Sequence, residues 1–296
     1  MDLNDILLVC AALFPAVALC IYIFKKDRVE KEPIGLLLGL LLLGGLICFP
    51  AAEIEGVLFN LFDMIFSPFT VEYEGELYLF GTTFKIYNAC KYFVGVALVE
   101  EGSKFLVLFL LTRKNKNFNS LFDGLIYAVF VSLGFAALEN VFYVVENGWI
   151  NALMRAVMSV PGHMFFAVLM GYYYSLWHMY EKAKQQERSL KQAGLINKGS
   201  IEFNGTTYLV LSLLVPILAH GLYDYCCTLG TILATISLYA FIIFLYIYCF
   251  RKIKNMSKGD MDDATYSGTM VLRKYPHLAI ILAECQKNST NYEVTK

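Results

Sequence analysis

The chain has 296 residues, of which 58% are hydrophobic, 15% aromatic and only 17% charged, with a net charge of −1. Soluble domains carry roughly a quarter charged residues, so this composition and a mean hydropathy of +0.56 exclude an ordinary soluble domain and point to a polytopic membrane protein. No Rossmann glycine motif, P-loop or nucleic-acid signature is present, so no nucleic-acid partner is expected. Seven apolar runs follow one another at residues 3–24, 34–62, 84–111, 121–145, 153–179, 208–229 and 232–250. A helix rises 1.5 Å per residue and needs about 20 residues to cross the hydrocarbon, so each run is long enough. The first follows Asp2 and Asp5 and precedes Lys25 and Lys26. That is the reverse of a signal peptide's charge order, so it reads as a retained span.

Basic residues set the orientation. Lys25, Lys26, Arg28 and Lys31 fill the first loop, Arg113, Lys114 and Lys116 the third, and Lys182, Lys184, Arg188 and Lys191 the fifth; Arg251, Lys252 and Lys254 open the tail. The intervening loops are nearly free of Lys and Arg. The expected fold is therefore an all-α bundle of seven transmembrane helices, with the N-terminus outside and the C-terminus cytoplasmic. Residues 1–250 form the transmembrane domain and 251–296 a polar tail. An apolar patch at 278–283 is too short to span, and the sequence leaves open whether it docks. The eight cysteines include no C-x-x-C and fall mostly in apolar runs, so they read as buried hydrophobes rather than as a disulfide framework.

The third run carries Glu100, Glu101 and Lys104. A charged group at a helix centre costs about 2.5–3.5 kcal/mol on the insertion scale, whereas each Leu, Phe or Val returns only about 0.3–0.6. A helix that served only as an anchor would gain nothing from the three. Lys104 stands four residues after Glu100 and three after Glu101, so it reaches both on one helical side. Further polar groups follow at comparable depth: Glu139 and Asn140 in the fourth run, His163 after Pro161-Gly162 in the fifth, and His220 with Asp224 one turn later in the sixth. Pro161-Gly162 is expected to loosen the helix around His163. Asp123 reads as a helix-start residue beside Ser120, Arg155 as a boundary residue that snorkels, and His178 and His277 as structural. Gly95, Gly102, Gly124, Gly134, Gly162 and Gly171 would allow close helix packing. Glu100, Glu101, Glu139, His163, His220 and Asp224, on four spans, all fall between mid-membrane and the outer half, and this convergence favours one site.

In chain order, Glu100-Glu101-x-x-Lys104, Asp123-Gly124-x-x-Tyr127, Phe135-x-x-x-Glu139-Asn140, His163 and His220-x-x-x-Asp224 together resemble the PrsW family of intramembrane proteases. That family lies within the membrane glutamic protease superfamily that includes the CAAX-processing enzymes. The resemblance covers roughly residues 25–250. It implies a multi-pass cell-membrane peptidase performing site-1-type cleavage of a single-span membrane protein, typically an anti-sigma factor, near its extracytoplasmic side. In that scheme Glu100 or Glu101 activates water and His220 with Asp224 supports the oxyanion. Glu139 and His163 complete the catalytic set, and Lys104, Asn140 and Phe135 support it. Where the CAAX-processing enzymes have a histidine, this chain has Glu139, which leaves open whether the base is a Glu–His couple or a carboxylate alone. A zinc ion on His163, His220 and Glu100 and a metal-free carboxylate mechanism both fit the residue types. The bilayer and a substrate helix are the implied partners. Mid-membrane acids and imidazoles also suit a proton- or cation-coupled transporter, and a non-catalytic scaffold clamping a partner helix is a third reading.

Overall fold

The computed structural model describes residues 3–28, 30–73 and 76–281. All seven apolar runs are helical. Helix α1 is Leu3–Lys26, and α2, Ile34–Leu46, passes through Ile47 into α3, Cys48–Phe66. A 3-10 turn at Ser67–Phe69 leads to two short antiparallel strands, β1 Val71–Tyr73 and β2 Glu76–Tyr78, a small departure from an all-helical chain. Helix α4, Gly81–Ala89, continues as a π-helix over Cys90–Ala97 into α5, Leu98–Thr112. Then come α6 Asp123–Val157, α7 Ser159–Gln192, α8 Thr206–Thr228, α9 Ile232–Lys258 and α10 Asp263–Lys274.

Among the described residues, five helical stretches are long and apolar enough to cross a membrane: Leu3–Lys26, Ile34–Phe69, Asp123–Gln192, Thr206–Thr228 and Ile232–Lys258. The third of these is 70 residues long but is broken twice. Gly148 has φ 74° and ψ −164°, a conformation only glycine adopts readily, and Met158 separates α6 from α7. The run at 153–179 is therefore not one helix. Pro161 sits in the first turn of α7, where no helical amide is lost, so it does not loosen the helix around His163 as expected. Helix α7 also runs on to Gln192, well past residue 179.

Helix α6 is the hub. Nearly every residue from Phe122 to Ala136 is buried, between α1, α2 and α7. Backbones meet there because side chains are missing: a Cβ on Gly44 would lie 2.1 Å from the Val131 carbonyl oxygen, and one on Gly134 2.0 Å from that of Leu41. Gly95, Gly124 and Gly171 are likewise closely covered, whereas Gly102 has nothing within 4 Å and Gly162 meets only the Phe166 ring at 3.9 Å, so these two do not serve packing. Large apolar side chains such as Leu42, Val57 and Ile232 point outward, as lipid-facing residues do.

One end of the bundle gathers the basic loops and a set of buried carboxylates. Asp123 accepts the amides of Asn119 (2.8 Å) and Ser120 (2.6 Å), the structural role expected of it. Glu32 accepts the Tyr127 hydroxyl at 2.6 Å, and Asp27 accepts the Glu32 amide at 3.1 Å. Burial pushes the Glu32 carboxyl up to about 8 against the opposing Tyr127 hydrogen bond, with Asp123 and Asp27 adding repulsion. The segment after α9 docks at this end. Asp260 accepts the Phe122 amide at 2.9 Å, Lys182 pairs with Asp263 at 2.7 Å and Lys274 with Glu187 at 2.8 Å, while Leu278 is buried in a small cluster with Ala183 and Val271. His178 stacks on Phe118 at 3.7 Å, also structural. The seven described cysteines are all free.

Candidate active site

The site starts on α5. The helix places Lys104 Nζ 2.8 Å from Glu100 Oε2 and 2.8 Å from Glu101 Oε1, and all three residues are buried. The same ammonium lies 3.1 Å from His163 Nδ1 of α7 and 4.2 Å from the centre of the Phe135 ring of α6. An ammonium can only donate, so His163 accepts at Nδ1 and carries its proton on Nε2, which faces Glu139 Oε2 at 2.9 Å. Helix α8 supplies His220. Its Nδ1 lies 3.0 Å from Glu101 Oε1 and its Nε2 3.2 Å from Asp224 Oδ2, and the ring stacks on Phe166 at 4.8 Å. The i,i+4 spacing of His220 and Asp224 thus produces the contact expected of it.

Arg155 departs from its expected role. It does not snorkel but folds back across the Gly148 break: Nη2 lies 3.0 Å from Glu139 Oε2, and Nε donates to Asn140 Oδ1 at 2.7 Å. Asn140 Nδ2 in turn donates to the Ala12 carbonyl at 2.7 Å, tying the site to α1. Glu100, Glu101, Lys104, Glu139, His163, His220 and Asp224 therefore form one connected polar network. Asn140 and Phe135 brace its α6 side.

A cavity of about 580 Å³ opens beside the network. Glu100, Phe135, Glu139, His163, His220 and Asp224 line it, whereas Glu101, Lys104 and Asn140 stand behind. This separates the two adjacent glutamates. Glu100 faces the hollow; Glu101 is wholly buried, and its Oε2 has no hydrogen-bond partner among the described residues. The cavity also exposes Glu55 of α3, which pattern reading passed over, and Arg155, which it placed at the boundary. A carboxylate inside an apolar run was the available signal for Glu55.

Ligand-type atoms of Glu100, Glu101 and His163 lie within 4.8 Å of one another, so this group could hold a metal ion. Carboxylate and imidazole donors suit zinc, and the orphaned Glu101 Oε2 adds a free acceptor. His220, expected as a third ligand, has both ring nitrogens engaged by Glu101 and Asp224. Lys104 Nζ touches all three candidate ligands, so an ion at that point would displace its ammonium.

The family described as "PrsW family intramembrane metalloprotease" matches residues 32–250. A protein named Protease PrsW from Geobacillus kaustophilus is 32% identical over 218 residues, covering 74% of this chain and 78% of the relative. The Clostridioides difficile protein of that name is 32% identical over 79% of this chain and 85% of its own length. For the Bacillus subtilis protein of that name the identity is 27%, over 86% and 97%. No solved structure matches the chain.

Proposed function

The chain belongs to the PrsW family of intramembrane proteases, and from that premise we propose that it is an endopeptidase in which Glu100 activates the water that attacks a peptide bond. It is a peptidase and a multi-pass protein of the cell membrane. The observation that carries the mechanism is the split between the paired glutamates: Glu100 lines the cavity, and Glu101 does not. A general base must lie within reach of the water it deprotonates. Glu101 instead holds Lys104 and His220 in place. His220 holds Glu101 at Nδ1 and Asp224 at Nε2; in this reading the developing oxyanion takes the Nε2–H in place of Asp224, the partner on the cavity side. His163, held by Glu139, lies beside His220 with ring centres 5.5 Å apart, and Glu100 returns the proton it takes from water to the leaving amine.

Glu100, Glu101 and His163 are the residues that would hold a zinc ion. Such an ion supplies a Lewis acid for the carbonyl and a water of lowered pKa.

The substrate is a single-span membrane protein such as an anti-sigma factor, cut near its extracytoplasmic side. Seven crossings with the N-terminus outside fit the alternation of Lys and Arg between loops. In this arrangement residues 1–250 are the protease domain and residues 251–296 its cytoplasmic tail. Reconstitution of the purified protein with single-span test substrates in vesicles tests the reading. The wild type cleaves and Glu100→Gln does not; equal cleavage by both would remove Glu100 from the chemistry.

A further inference from the structure

Three of the four carboxylates that line the cavity are matched by a cation or an imidazole. Glu100 has Lys104, Glu139 has Arg155 and His163, and Asp224 has His220. Glu55 is the exception. It is half-buried on an apolar helix, lines the same hollow, and makes no hydrogen bond or ion pair among the described residues. Lys91 also borders the cavity, but its ammonium lies over the Phe59 ring at 4.5 Å and near the Tyr87 ring at 5.8 Å, and it makes no ion pair with Glu55.

A carboxylate in a low-dielectric wall calls for a positive partner, and the described residues provide none within bonding distance. From this, and resting on the peptidase reading above, we infer that Glu55 forms a specificity subsite that receives a lysine or arginine side chain of the substrate flanking the scissile bond. The rest of the wall suits that occupant. Phe49 and Phe142 line the cavity together with Glu55, giving aromatic surface for the aliphatic stem. Glu55 stands seven residues after Cys48, which packs against Phe135 in the site's wall. It therefore lies about 10 Å further along α3 than Cys48.

The experiment uses single-span peptides carrying Lys, Gln or Glu at each of the three positions on either side of the scissile bond. Cleavage is followed with the full-length protein in detergent or vesicles. Binding of the same peptides is measured separately by fluorescence anisotropy on the non-cleaving Glu100→Gln protein. The wild type is expected to favour Lys over Gln at one position at least tenfold in kcat/KM. Glu55→Gln should erase that ratio, and Glu55→Lys should turn the preference towards Glu, which a misfolded variant would not do. In the binding assay, adding Glu55→Gln should weaken the Lys peptide by a similar factor relative to the Gln peptide. Equal use of Lys and Gln peptides by the wild type, or a uniform loss across all peptides in Glu55→Gln, would overturn the subsite. Charge-selective binding lost on Glu55→Gln without cleavage of any peptide would uphold the subsite and sink the peptidase reading instead.

Discussion

Glu101 Oε1 lies 3.0 Å from His220 Nδ1, and this contact joins α5 to α8 behind the cavity wall. The same oxygen receives the Lys104 ammonium at 2.8 Å. One buried carboxylate thus fixes an imidazole and an ammonium, while its neighbour in sequence faces the hollow. Two identical residues in succession have been given different work by the 100° turn between them on a helix.

The first prediction concerns that division. Glu100→Gln should lower kcat by about 10²–10⁴-fold, the usual span for losing a general base, with a smaller drop in melting temperature than Glu101→Gln, because Lys104 keeps Glu101 and His163 as partners. Glu101→Gln should lower activity too, but together with stability, because it leaves the buried Lys104 and His220 contacts half made. Breaking such a buried pair typically removes about 3–5 kcal/mol. Thermal unfolding in detergent alongside single-turnover cleavage separates the two; matching losses of stability would contradict the assignment.

Metal content gives the second. Lys104 Nζ occupies the point where Glu100, Glu101 and His163 converge. Removing the ammonium with Lys104→Met should raise zinc retention after dialysis, read by elemental analysis, and His163→Ala introduced on top should lower it again. Unchanged zinc content in Lys104→Met would show that ammonium and metal do not compete for this site.

Topology gives a third test. In a cysteine-free background, single cysteines at 67–80 should react with an impermeant maleimide added outside intact cells. Those at 193–205 should react only after permeabilisation. The reverse pattern would invert the bundle and the depth assigned to the site.

Stability against pH gives a fourth. The folded Glu32 carboxyl, raised from an ordinary 4.5 to about 8 by burial, holds its proton where the unfolded chain has released it. Its contribution is fully present below about pH 4.5 and is lost as the pH rises to about 8, since the folded state binds more protons over that window. Asp27 and Asp260 are raised by burial as well and add in the same direction. Melting temperature should therefore fall between pH 5 and 8, and Glu32→Gln should flatten the slope; a rise with pH would contradict it.

Much of the site is legible in local spacing. Lys104 reaches Glu100 and Glu101, and Asp224 reaches His220, because i,i+3 and i,i+4 neighbours share a helix face whatever the tertiary fold. Contacts made by chain reversal are not legible in this way. Arg155 meets Glu139 and Asn140 only because the helix breaks at Gly148 and returns, and no periodicity announces where a glycine will adopt a positive φ. Glu55 hides for another reason: a single acid in an apolar run looks like an interruption until the wall it belongs to is known. Which of the two glutamates faces the cavity depends on the rotation of α5, set by what precedes it. The docked tail is held by Asp260, Asp263 and Lys274, polar contacts that composition does not reveal.

The π-helix at Cys90–Ala97 sets that rotation. Wide turns of this kind hold one more residue than an α-helical turn and recur at functional sites. Upstream of α5 they act as a phase shifter: every side chain after Ala97 is aimed by the number of residues wound into the wide segment. Deleting one residue there would swing Glu100 by about 100° while leaving every residue of α5 unchanged. The aim of the active site is thus stored in a stretch of chain that contributes none of its catalytic groups.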